Sequence, residues 1–283
     1  MENIAISVII PTYKPADYLF ENLDKLSRQT LGHDRFEVII VLNGPKEPFF
    51  SQIEAYLKSL TDINVRLIYT ERKGVSDARS AGLDESRGRY VVFVDDDDWV
   101  SSNYLEKLLL HNDKGAVVLA NVKLIDDATG QQLYYYITDV YQRLKSIPDP
   151  SSFQARSYLS TVCGKLIPRQ VIADDRFPGQ YALGEDALFM FDISWRITGF
   201  ALASPDTVYY VRYRHDSASH KRRSYWQRFG IIMKVLAKYV KIYCGKPGKY
   251  SFPLFLSRLV ASLRKLLQKD YEVQPRPLTP PSA

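Results

Sequence analysis

Four consecutive carboxylates, Asp95-Asp96-Asp97-Asp98, stand directly behind the apolar run Tyr90-Val91-Val92-Phe93-Val94 and are closed by Trp99-Val100. Like charges crowded at one strand end repel each other, so the arrangement favours a cation among them. Hard oxygen donors suit Mg²⁺ or Mn²⁺, which bind through one or two carboxylates and keep positions open for phosphate oxygens. In an extended stretch side chains alternate, so Asp95 and Asp97 share a face. That Asp-x-Asp pair is assigned to the metal, with Asp96 turned to the opposite face and Asp98 orienting the loop or meeting an acceptor. A solvated acidic loop is the plain alternative. A second acidic pair, Glu185-Asp186, opens a stretch containing Leu188, Phe189, Phe191, Ile193 and Trp195. Carboxylates favour helix N-termini, where free N–H groups and the helix dipole receive them. The same pair could instead take a proton from a reacting hydroxyl.

The elements that hold these groups follow from the hydrophobic pattern. Ile4 to Ile10 reads as a buried strand ending at Pro11. Phe36 to Leu42 reads as a second strand, Val65 to Tyr69 as a third and Tyr90 to Val94 as a fourth. Helical spacing falls between them: residues 16–29 through Leu19, Leu23 and Leu26, then Ile53, Leu57 and Leu60, then Val75 to Ser86. Strands separated by helices predict a parallel sheet with right-handed crossovers. Ligands of such sheets bind beyond the carboxyl ends of the strands. Pro11-Thr12-Tyr13, Leu42-Asn43-Gly44 and Asp95 to Asp98 all fall at such ends. Further on, Ala116 to Ala120 reads as another strand, and Val122 to Tyr136 as a hairpin around Asp127-Ala128-Thr129-Gly130.

Several of these segments, in this order, resemble the family 2 glycosyltransferases. They are Ser7-Val8-Ile9-Ile10-Pro11-Thr12-Tyr13, then Gly74-Val75-Ser76-Asp77-Ala78-Arg79-Ser80-Ala81-Gly82-Leu83, then Gly88-Arg89-Tyr90 running into Asp98. Gly164-Lys165-Leu166, Arg176-Phe177-Pro178 and Gly184-Glu185-Asp186-Ala187-Leu188-Phe189 continue the match, which spans roughly residues 4–220. The resemblance implies an α/β GT-A fold, a nucleotide-sugar donor and inversion at the anomeric carbon. It implies that Pro11 and Tyr13 line the nucleotide base and that Arg79 approaches the base or phosphates. It places Asp95 near the ribose and Asp97 on the metal. Thr12 and Asp96 fall in the same segments and join the nucleotide-binding set. It implies that Asp186 is the base, with Glu185 beside it. Arg212, Arg214, Ser217 and His220 sit where the family places a basic segment over the diphosphate, and Arg pairs well with phosphate oxygens. His215 or His220 could also approach the metal, although histidines in a polar loop are more often surface residues.

One departure stands out. The family has Asp-Asp-Gly-Ser after the second strand, and here the stretch is Leu42-Asn43-Gly44-Pro45. Asn43 can still bond a base edge, since its amide both donates and accepts. A plain turn is the equal alternative. The Gln-x-x-Arg-Trp motif of processive members is absent, which favours transfer of a single sugar, UDP-linked, to a saccharide or lipid-linked acceptor in cell-surface polysaccharide synthesis. Two rivals remain open: a metal-dependent nucleotidyltransferase or phosphohydrolase, against which Pro11 to Pro15 lacks a glycine loop, and a binding module without catalysis.

The 283-residue chain, 46% apolar and 25% charged, has the composition of an ordinary globular protein. It carries a net charge of +6, and eleven of its cations lie between Arg212 and Lys249 beside the single acid Asp216. Such a field suits phosphates or anionic lipid; nucleic acid is not expected. Trp226, Phe229, Met233, Leu236, Val240 and Tyr243 form an apolar stripe on a basic helix, and Leu256, Leu259, Leu263 and Leu266 a second. The first stripe reads as core packing or as a face for anionic membrane. Cys163 and Cys244 form no evident framework, and neither a signal peptide nor a spanning segment is seen. The expected location is cytoplasmic, with a peripheral place on the inner membrane face. The expected division is a GT-A domain over 1–215, a basic helical extension over 216–270 and a disordered tail over 271–283.

Overall fold

The computed structural model describes residues 4–112, 115–179, 181, 183–214 and 224–267. The two strands that lead the sheet are β1 (Ile6–Thr12) and β2 (Phe36–Leu42), and every residue of both is buried. A strand buried on both faces favours apolar side chains on both, which is why these segments read as near-continuous runs rather than alternations; the buried Ser7 hydroxyl and Glu37 carboxylate pair at 2.7 Å. With β3 (Asn64–Tyr69) and β4 (Tyr90–Phe93) they pair in parallel. Three helices cross between them: α1 (Asp17–Ser27), α2 (Phe49–Leu57) and α3 (Val75–Glu85). β1 runs one residue past the expected Pro11, because Thr12 pairs with Leu42. α2 stops short of Leu60.

The chain then turns through β5 (Trp99–Val100) and α4 (Tyr104–Leu110) into β6 (Val117–Leu119). β7 (Asn121–Asp126) and β8 (Gln132–Leu133) form the expected hairpin. It ends early because Tyr136 already opens α5 (Tyr136–Leu144). β9 (Lys165–Pro168) runs into α6 (Arg169–Ile172). After α7 (Glu185–Ile193) come β10 (Phe200–Leu202) and β11 (Val208–Tyr213). The main sheet has the order β10-β6-β9-β4-β1-β2-β3. It is not wholly parallel, because β9 pairs antiparallel with both β4 and β6. A smaller sheet of order β5-β11-β7-β8 stands beyond the carboxyl end of β4.

The C-terminal hairpin of α8 (Tyr225–Gly245) and α9 (Phe252–Leu267) shares the main core. Phe191 of α7 lies 5.3 Å from the Tyr239 ring and 5.0 Å from Tyr250. The helices of the expected extension therefore pack on α7 through buried aromatic rings. The buried face of α8 is Ile232, Val235, Tyr239 and Ile242, not the stripe read from Trp226 to Tyr243. α8 is apolar on two faces, and periodicity alone does not say which one meets α7. α9 likewise buries Leu254, Phe255 and Arg258 and leaves Leu256 and Leu263 exposed. The expected tail and residues 216–223 lie outside the described residues.

Candidate active site

The carboxyl ends of β1, β2 and β4 bring the sequence-distant polar segments to one edge. Asn43 is buried, and its N–H donates to the Thr12 carbonyl at 3.0 Å. A Cβ at Gly44 would stand 1.7 Å from the Tyr13 carbonyl oxygen. Only glycine lets these two loops lie so close. Tyr13 itself is half exposed at the rim. The expected base-binding residues Pro11, Thr12, Tyr13 and Asn43 are thus neighbours.

Asp95 to Asp98 form a turn, not the expected extended stretch: the Asp98 N–H donates to the Asp95 carbonyl at 3.1 Å. The cause is Asp98, whose buried carboxylate accepts from the Tyr209 hydroxyl at 2.7 Å and from the Arg212 N–H at 2.8 Å. Tyr209 also receives the Asp95 N–H at 3.2 Å. Strand alternation therefore does not set the directions of these four side chains; their partners do. Asp95 pairs with Arg79 at 2.7 Å and Asp97 with Arg214 at 2.5 Å. Asp96 accepts from the Thr12 hydroxyl at 2.5 Å. Burial pushes the Asp96 carboxyl up to about 7. Burial and then the charge of Asp95 raise Asp97, and burial holds Asp98 well above the carboxylate range. Crowded anions with raised pKa values are the electrostatic mark of a functional cleft.

Arg79 is 4% exposed and joins the two acidic clusters. One terminal nitrogen meets Asp95, and the other meets Asp186 at 2.5 Å. Burial opposes its charge, but Asp186 and Asp95 more than offset that and push its pKa up. α3 supplies Arg79 and α7 supplies Asp186. Gly184 precedes α7 at φ +79°, a left-handed conformation that aims the first helical turn. Asp186 does not cap its own helix. Its second oxygen accepts the Val162 N–H at 3.3 Å. Burial raises the Asp186 carboxyl, with Arg79 opposing. Burial and the Asp186 charge raise Glu185 as well.

Two supporting residues carried no signal in the sequence, and a third carried only its place in a motif. Asn22 of α1 donates to the Asp95 carbonyl at 3.2 Å. Tyr209 anchors the aspartate turn as described. Lys165 is fully buried and donates to the Thr161 and Cys163 carbonyls, each at 2.7 Å, holding the segment that offers Val162 to Asp186. Burial draws its ammonium down to about 7. Lys165 stands in a quoted motif, which was the one clue to it.

Arg212, expected over the diphosphate, is engaged elsewhere. Its Nε donates to the Asp97 carbonyl, and its terminal nitrogens pair with Asp127 at 2.6 Å and Glu21 at 2.8 Å. It also lies over the Tyr18 and Trp99 rings. Three charge-assisted bonds fix it as a clamp between α1, the β7–β8 turn and the aspartate turn. Arg214 differs, because its buried Nε has no partner among the described residues. His220, with His215 and Ser217, lies outside the described residues.

Asp95 and Asp97 fit a divalent cation in one manner only. Among the described residues no three His, Cys, Asp or Glu side chains converge on a metal position. Two hard carboxylates completed by phosphate oxygens and water is the manner of Mg²⁺ and Mn²⁺.

Residues 7–164 match the model of the family described as Glycosyl transferase family 2. The minor teichoic acid biosynthesis protein GgaB of Bacillus subtilis (strain 168) is 25% identical over 96% of this chain and 30% of its own length. Poly(ribitol-phosphate) beta-N-acetylglucosaminyltransferase TarS of Staphylococcus aureus (strain Mu50) is 24% identical over 82% of this chain and 39% of its own. The chain therefore spans less than half of these relatives. Residues 1–349 of S. aureus TarS, solved with UDP-GlcNAc, superpose with a TM-score of 0.72 at 20% identity, covering 92% of this chain and 72% of that one. The mannosyltransferase PcManGT of Pyrobaculum calidifontis, solved with GDP-Man and Mn²⁺, gives 0.60 at 20% identity over 92% and 69%. These likenesses identify the fold as GT-A.

Proposed function

The chain belongs to glycosyl transferase family 2, and from that premise we propose that it moves one sugar from a nucleotide sugar, UDP-linked, to a saccharide or lipid-linked saccharide acceptor with inversion. The observation that carries this reading is the Arg79 bridge. It ties the donor-side Asp95 to the acceptor-side Asp186 through a single buried guanidinium. A sugar transferase needs a carboxylate there, to take the acceptor hydroxyl's proton. A carboxylate base beside a metal pair also serves phosphoryl transfer, and it is the family match over residues 7–164 that turns the reading to sugar transfer.

In this reading Tyr13, Thr12 and Asn43 receive the nucleoside. A Mn²⁺ or Mg²⁺ held by Asp97 and Asp95 would supply charge neutralisation on the departing diphosphate. Arg214 balances Asp97 in the free protein, and its unpartnered Nε leaves it a donor for a diphosphate oxygen. Asp186 accepts the proton as the acceptor oxygen attacks, while Arg79 and the Val162 N–H hold its carboxylate in place. Donors preset in this way need little reorganisation during the reaction.

A panel of nucleotide sugars with Mn²⁺, with and without saccharide acceptors, tests the proposal. Nucleoside diphosphate released only when an acceptor is present supports transfer. Binding without turnover across the panel would favour a non-catalytic module, and release of nucleoside monophosphate would favour phosphohydrolysis.

A further inference from the structure

We infer that the α8–α9 hairpin carries a docking face for an anionic lipid bilayer surface. The segment 224–267 holds nine Lys and Arg and no Asp or Glu. On α8, Trp226, Phe229, Met233 and Val240 are exposed, Trp226 to 76%. Their spacing puts them on one side of the helix, away from the Tyr239 face that meets α7. Lys234, Lys238 and Lys241 line the neighbouring strip at spacings of four and three. On α9, Phe252, Leu256 and Leu263 are exposed in the same way.

The two stripes adjoin. Tyr243 of α8 stacks on Phe255 of α9 at 4.2 Å and lies 6.3 Å from Phe252. At the other end Arg228 donates to the Lys265 carbonyl. The helices therefore run antiparallel, and their exposed apolar residues flank one seam. Helices with aromatic and aliphatic residues on one strip and lysines on the next lie flat in lipid headgroups.

Charge decides between occupants. A second copy would set one acid-free basic hairpin against another, which repel. A polyanion such as nucleic acid would satisfy the lysines and leave Phe229 and Met233 in water. A bilayer with anionic headgroups takes both strips at once. It cannot be crossed by these helices, since no helix among the described residues is long and apolar enough. The hairpin is also seated on the acceptor side of the cleft. Arg258 of α9 donates to Ser160 at 2.8 Å, one residue before the Thr161–Cys163 segment that holds Asp186.

Flotation of the full chain with vesicles tests the inference without donor or acceptor, so its failure is separate from failure of the sugar-transfer reading. The vesicles are phosphatidylcholine alone or mixed with phosphatidylglycerol. The chain floats with the mixed vesicles at low salt, stays behind with phosphatidylcholine, and its tryptophan emission shifts to the blue on binding. Replacing Lys234, Lys238 and Lys241 with Gln lowers partitioning roughly 100-fold, at about five-fold per cation near an anionic surface. The double change Phe229→Ser and Met233→Ser keeps the charge and also abolishes flotation, with the thermal midpoint unchanged. No flotation at low salt overturns the proposal. So does binding that survives the double change, because that would be adhesion of charge alone, as to an acidic protein.

Discussion

In the proposed reaction, Asp186 is the residue on which the chemistry turns. A general base is active only when deprotonated, and burial raises this carboxyl above its ordinary range while Arg79 opposes the rise. The acid limb of kcat/KM should therefore lie above the usual carboxylate pKa, with activity lost as pH falls through it. Asp186→Asn removes the proton acceptor without changing size. It should lower kcat by about 10² to 10⁴-fold and leave nucleotide-sugar binding within a few-fold. Isothermal titration beside turnover assays separates the two; near-normal turnover would remove Asp186 from the role. Residue type pointed to a cation at Asp95 and Asp97, whereas Asp186 read by type as a helix cap and was singled out by the family resemblance. Tyr209 and Asn22 were not legible. A tyrosine in an apolar strand and an asparagine in an amphipathic helix look like packing until the fold sets them against the aspartate turn. The partners of Arg212 were hidden for the same reason: its three acceptors come from α1, the β7–β8 turn and the aspartate turn.

At the scale of elements, α7 and the aspartate turn decide how the carboxylates face each other. Gly184 at φ +79° sets the direction in which α7 begins. Any residue with a Cβ is strained there, at about 1–2 kcal/mol. Gly184→Val should lower stability by that order and reduce kcat by more than it alters donor affinity, since only the acceptor side is displaced. Urea melts beside steady-state kinetics check this, and an unchanged kcat would show that α7 is aimed by its packing alone. The first four strands were readable because each is an unbroken apolar run bounded by turn residues. β5 and β9 were not, because they are two and four residues long and owe their existence to distant partners. The extended reading of Asp95 to Asp98 failed on the same ground. Two hydrogen bonds from β11 to Asp98 curl the run into a turn, and local sequence holds no record of β11.

For the whole molecule, the question is whether the basic hairpin is an appendage or part of the domain. Phe191 answers it physically. It is fully buried on α7, a few residues after Asp186, and its ring meets Tyr239, Tyr250 and Phe255 of the hairpin segment. Truncating such a ring costs about 3–5 kcal/mol, through lost burial and the cavity left behind. If the hairpin were independent, Phe191→Ala would free α8 and α9 while the sheet held. One shared core predicts instead that the loss falls on the global transition. Unfolding followed by helix circular dichroism and by tryptophan fluorescence should stay coincident, with a single lowered midpoint. Hydrogen exchange in α8 should accelerate in step with exchange in β1 and β2. Separate transitions would show instead that the hairpin folds as a unit of its own. The coupling bears on function, because a hairpin that cannot loosen from α7 transmits its placement on any surface directly to the helix that carries Asp186.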